Sequence, residues 1–151
     1  MAITRLISAG QRALRRAAGA ACLALMGAVG AWANAAQALP PLRSVAQIDD
    51  GLMAVALADE IRKNCDDIAA RMVRAYFYIN SLEQKAQNLG YSRDEIKRHV
   101  KSPEEKARMR EKAQNYVRAQ GLNPANTADL CTLGRQEIAK GSQIGALLKV
   151  K

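Results

Sequence analysis

The first 38 residues read as an export signal, and that reading sets what the remainder can fold into. Arg5, Arg12, Arg15 and Arg16 give a positive start, and an apolar run from Ala17 to Ala31 follows. The run matches the length of a signal core and is short for a membrane span. Small residues then recur at signal-peptidase spacing. Ala36-Gln37-Ala38 is the preferred site, with cleavage after Ala38, while Ala31-Trp32-Ala33 and Ala33-Asn34-Ala35 are alternatives. An uncleaved anchor is a rival reading, and so is a lipid anchor on Cys22. The second is disfavoured, because Gly19-Ala20-Ala21 places no large aliphatic residue three positions ahead of the cysteine. The expected destination is the periplasm, with no membrane span left after cleavage.

What remains is a single domain, residues 39–151. Four of the 23 basic residues and none of the 14 acidic ones lie in the signal, so the remainder carries +5 rather than +9. Much of the basicity is therefore an address label, and a nucleic-acid partner is not expected. Trp32, the only tryptophan, leaves with the signal. Cys22 leaves too, and Cys65 and Cys131 remain as an even pair in an oxidising compartment. One disulfide between them is expected. No C-x-x-C exists for redox chemistry, and two distant cysteines with one histidine lack the clustering a zinc site needs.

Aromatic residues make up only 4% of the chain, and alanine is abundant, a mix that favours helices over a sandwich or barrel. The apolar spacing predicts an all-α fold, a compact bundle of five to six helices. The first spans about Asp50–Asn64, with Met53, Leu57, Ile61 and Cys65 on one face. The second is capped by Asp66 or Asp67 and runs to Leu89, stopped by Gly90. Its main stripe is Ile68, Met72, Ala75, Ile79, Leu82, Ala86 and Leu89; Ala70, Val73 and Phe77 form a second stripe nearly opposite. Apolar residues on two sides predict a central helix; otherwise Val73 and Phe77 mark an exposed partner patch. Ser92-Arg93-Asp94-Glu95 and Ser102-Pro103-Glu104-Glu105 are capping boxes for a third helix to Lys101 and a fourth to Gln120. The fourth has Met109, Ala113, Tyr116 and Val117 inside. Asn126 or Thr127 caps a fifth helix ending near Lys140-Gly141, and Ser142–Val150 adds a last short one. No strand is expected, since period-2 alternation is absent.

Few residues suggest chemistry. His99, the sole histidine, lies among Lys97, Arg98 and Lys101 and reads as a solvated surface residue without an orienting carboxylate. Glu137 falls between Leu130, Leu133 and Ile138 on an apolar face, so it is expected at a rim or paired with an arginine of another helix, with a buried carboxylate in a catalytic or ligand-binding role as the alternative. Gly141-Ser142-Gln143-Ile144-Gly145 is not a nucleophile elbow, because its serine sits one place early; its G-x-x-x-G spacing suggests close helix packing. Eight basic residues against three acidic ones lie between Lys97 and Arg118. They form either a solvated face with pairs such as Glu104 to Arg108, or a site for an anionic envelope partner. Lys97, Arg98, Lys101, Arg108, Arg110 and Lys112 are the candidates for the second reading. Charge reversal at Arg108, Arg110 and Lys112 is then expected to abolish binding without unfolding.

Two blocks carry a resemblance. The first is Pro40-Pro41-Leu42-Arg43, then Ile48-Asp49-Asp50-Gly51-Leu52, then Ala58-Asp59-Glu60-Ile61-Arg62-Lys63-Asn64-Cys65. The second is Cys131-Thr132-Leu133-Gly134-Arg135-Gln136-Glu137-Ile138-Ala139, followed by Gly141-Ser142-Gln143-Ile144-Gly145. Together they resemble a domain-of-unknown-function family of small exported alphaproteobacterial proteins, over residues 39–150. The resemblance implies export, one domain and the same disulfide, and brings no catalytic or ligand residues with it. The functional expectation is a non-enzymatic interaction or accessory protein, binding an envelope protein or an anionic envelope surface without metal or cofactor. A stress-linked periplasmic chaperone is the first alternative and a small envelope hydrolase the second.

Overall fold

The computed structural model describes residues Ala38–Lys151. The signal-like segment, with Cys22, Trp32 and all its cleavage candidates except Ala38, lies outside the described residues. The described residues form one unit of six α-helices with one two-stranded sheet.

A 3-10 turn at Leu42–Ser44 leads into α1 (Ala46–Asn64). The helix begins four residues before its expected start. Asp49 stands in its first turn and Arg62 and Lys63 in its last, as the helix dipole favours. The expected stripe is the heart of the core: Leu57 and Ile61 are fully buried, and Met53 and Cys65 close to it. Backbone at Cys65 turns extended, which ends the helix and leaves the sulfur facing that of Cys131. Cys65 is bonded to Cys131 with their Cα atoms 5.5 Å apart.

Two elements differ from expectation after Cys65. Residues Ile68–Ala70 form a strand, β1, paired antiparallel with β2 (Leu148–Val150) in the register Ile68 to Val150. Three residues are too few for alternation to show in sequence, and the partner lies about 80 residues away. Ile68 is buried from this strand rather than from a helix. The second helix, α2 (Met72–Asn88), therefore starts past Arg71, with no side-chain cap. It is peripheral rather than central. Leu82 and Ala86 are its buried residues, whereas Met72, Val73, Phe77, Ile79 and Leu89 are exposed.

The remaining boundaries follow local signals. Ser92 opens α3 (Arg93–Lys101) with a complete capping box. At α4 (Pro103–Ala119) the box is half made: Ser102 accepts from the Glu105 amide, but the Glu105 carboxylate turns to Arg108. Asn126 caps α5 (Thr127–Lys140), which ends on Gly141 at φ 63°. The short α6 (Gln143–Ala146) then folds back so closely that a Cβ on Gly145 would meet the backbone of Glu137. Of the G-x-x-x-G pair, only Gly145 thus serves packing, while Gly141 ends α5 through its left-handed φ and meets nothing within 4 Å. A main core of α1, α4, α5, α6 and the sheet is joined by a smaller cluster of Leu42, Ile48, Leu82, Ala86 and Tyr91.

Candidate functional site

Among the described residues, most of the exposed large apolar side chains lie on or at the end of helix α2. Its buried line points at α1, and its first two turns present Met72, Val73, Tyr76 and Phe77 on the opposite side. These positions are i, i+1, i+4 and i+5, one face of a helix. Tyr76 and Phe77 meet edge-to-face with ring centroids 5.7 Å apart. Val73 and Phe77 are the pair expected from the sequence; Met72 and Tyr76 complete the face one turn apart. Val150 of β2 is exposed as well.

A cleft of about 450 Å³ lies between α1, α2, α3 and α4. Leu52, Val55, Met72, Ile79, Val100 and Met109 give it an apolar lining, and Arg62, Lys63, Lys106 and Arg110 stand among its polar residues. At one end is His99. Its side chain is 12% exposed, not solvated as expected, and Nε2 is buried without a hydrogen-bond partner. A carboxylate does face it: Glu105 Oε2 lies 3.9 Å away. Burial holds the imidazole below its ordinary value, with Arg108 and Arg43 adding to this against Glu105 and Asp49.

Behind His99 the candidate basic residues separate. Asp49, 5% exposed, accepts hydrogen bonds from Arg108 and Lys112. Arg108 also holds Glu105 at 2.8 Å, and Lys112 holds Asp50 at 2.6 Å. Burial opposes ionisation of Asp49, but hydrogen bonds and charge from the two cations outweigh it and keep the carboxyl below the usual range. Arg108 and Lys112 are thus ties between α4 and α1, and the expected Glu104 pair is replaced by Asp49 and Glu105. Charge reversal at Arg108 or Lys112 would remove these ties, so at these two positions it bears on stability as well as on any binding. Lys97, Arg98 and Lys101 surround a separate hollow on α3, and Arg110 stands at the cleft. The six do not make one patch.

Glu137 is fully buried on α5. It is neither at a rim nor paired with an arginine: Lys140 of its own helix lies 3.2 Å from Oε1, and the Tyr116 hydroxyl donates to the same oxygen at 3.1 Å. Its Oε2 has no partner. It does not line the cleft, and through Tyr116 it links α5 to α4.

Sequence reasoning missed Asp49, Arg71, Arg74 and Lys149. The last three border the exposed face of α2. Arg71 and Arg74 flank the apolar pair Met72-Val73, a pattern visible in the chain; Lys149 arrives only through strand pairing. Among the described residues there is no acidic, histidine or cysteine group suited to a metal ion. None of their helices is long and apolar enough to cross a membrane.

No curated protein and no solved structure matches the chain. A family model does, over residues 40–149, which takes in Cys65, Cys131, β1, the exposed helix and the first two residues of β2. The chain belongs to that family, a family of unknown function (DUF5333).

Proposed function

We propose that the chain is an exported periplasmic interaction or accessory protein, without catalysis of its own, that binds through the outer face of α2. The observation that carries this reading is the set Met72, Val73, Tyr76 and Phe77, each more than 60% exposed on one helix face. Large apolar groups gathered in water are stabilised when a partner covers them. The neighbouring cleft offers apolar lining to a group reaching past Met72. A hydrolase has less support, because Nε2 of His99 is closed off and Glu105 is held by Arg108 and Arg43. A chaperone that uncovers apolar surface under stress has less support too, since this surface is open in the folded state.

The test is site-specific photo-crosslinking in cells, with the crosslinker at Val73 or Phe77 and controls at the exposed Lys85 and Asn115. Adducts at Val73 and Phe77 but not at the controls are expected. Equal labelling at all four positions, or none, overturns the binding face. N-terminal sequencing of the same protein tests export: a chain starting at Leu39 is expected, and one retaining Met1 in the cytoplasm overturns it.

A further inference from the structure

With the outer face of α2 read as the binding surface, a reading on which the choice of partner rests, the charges around that face select what it binds. Arg71, Arg74 and Lys149 share one shallow recess with Met72, Val73 and Phe77. None of the three cations pairs with a carboxylate among the described residues. Arg71 Nε donates to the Leu148 carbonyl at 2.9 Å, and Arg74 Nη1 to the Ala146 carbonyl at 3.5 Å. These backbone contacts hold the guanidinium groups beside the apolar face without neutralising them. No acid occurs in α2 before Glu83, and Asp67 ahead of β1 is tied to Arg135 at 2.8 Å. The face is therefore apolar at its centre and cationic at its border.

We infer that this face docks on a bilayer of anionic phospholipid. Such a surface supplies both things the face lacks, an apolar interior for four projecting side chains and negative charge around them. The apolar groups stand out from a helix beside a shallow recess, which suits insertion below lipid headgroups. A protein partner would need a matching groove ringed with acids. From Asn80 onward the same face turns polar with Glu83 and Gln84, which limits the inserted part to the first two turns.

The test uses residues 39–151, which hold the whole core and the disulfide, in co-sedimentation with phosphatidylglycerol or phosphatidylcholine vesicles. Three cations, each contributing about fivefold at an anionic surface, predict binding about a hundredfold tighter to phosphatidylglycerol. Two double variants, V73S/F77S and R74E/K149E, are each expected to lose at least about tenfold on the anionic vesicles. Both sets are exposed, so unchanged far-UV circular dichroism and Tm are expected alongside. Absent binding by the parent protein, equal binding to both lipids, or undiminished binding by both variants overturns the inference. Should vesicles fail while crosslinkers at Val73 and Phe77 capture one protein, the binding face stands and its lipid occupant falls. Should both fail, both readings fall.

Discussion

Replacing Asp49 with asparagine keeps the shape of the side chain and removes its charge. The Asp49 side chain is 7% exposed and accepts from both Arg108 and Lys112. Neither cation is wholly stranded by the change, because Arg108 keeps Glu105 and Lys112 keeps Asp50. The cost should therefore fall below the ~3–5 kcal/mol of breaking a fully buried pair. Hydrogen bonds to charged groups contribute ~1.5–3 kcal/mol each, and the asparagine oxygen keeps one at reduced strength. Its amide hydrogens face the other cation, donor against donor. The Arg108 and Lys112 side chains are 30% and 32% exposed, so solvent screens part of the loss. The net expectation is about 2–3 kcal/mol, or a Tm lower by roughly 10 °C in a domain this size. Urea unfolding followed by far-UV circular dichroism at pH 7 measures it. The pH dependence gives a second check. The folded carboxyl titrates below its unfolded value, so its contribution is present above the unfolded value and lost as pH falls through the folded one. The gap between parent and variant should close in strong acid. A loss under about 0.5 kcal/mol at pH 7, or a gap that persists in acid, refutes the reasoning.

Three further outcomes are expected. Replacing Cys65 and Cys131 together with serine frees a 66-residue separation and should cost about 4 kcal/mol by urea unfolding; equal stability would mean the α1–α5 contact already restricts the unfolded chain. Gly145→Ala drives a Cβ into the Glu137 backbone and should cost about 3 kcal/mol. By contrast, Gly141→Ala meets nothing within 4 Å and bears only its left-handed φ, about 1 kcal/mol. Equal Tm losses for the two glycine variants would contradict the packing account. His99→Gln should flatten the fall in Tm between pH 7.5 and 5.5. The neutral imidazole favours the fold above its unfolded value, and that contribution disappears as pH falls through the depressed folded one. A parent Tm that is level across this range would refute it.

Helix boundaries were legible wherever a local signal carried them. Ser92, Ser102-Pro103, Asn126 and Gly141 each act within one turn, through a side chain or a permitted φ, and each stands at a helix end. The start of α2 was not legible, because Asp66 and Asp67 look like caps. Extended backbone at Cys65 and pairing of Ile68–Ala70 with the C-terminal strand take those residues out of the helix. Of the candidate site residues, Val73 and Phe77 showed in the spacing as a second stripe. Spacing orients a stripe on its own helix but does not say whether another element covers it.

By itself, then, the chain determined the helical class, most helix ends, the Cys65–Cys131 pair and the inward face of α1, all set by contacts within a turn or by elimination among few cysteines. Only the tertiary structure decided which apolar face of α2 is left in water, that Asp49 is buried between two cations, that His99 is closed off beside Glu105, and that Lys149 joins Arg71 and Arg74. Each of these depends on groups about 6 to 80 residues apart meeting in space, and burial and charge neutralisation are properties of that meeting rather than of any local segment.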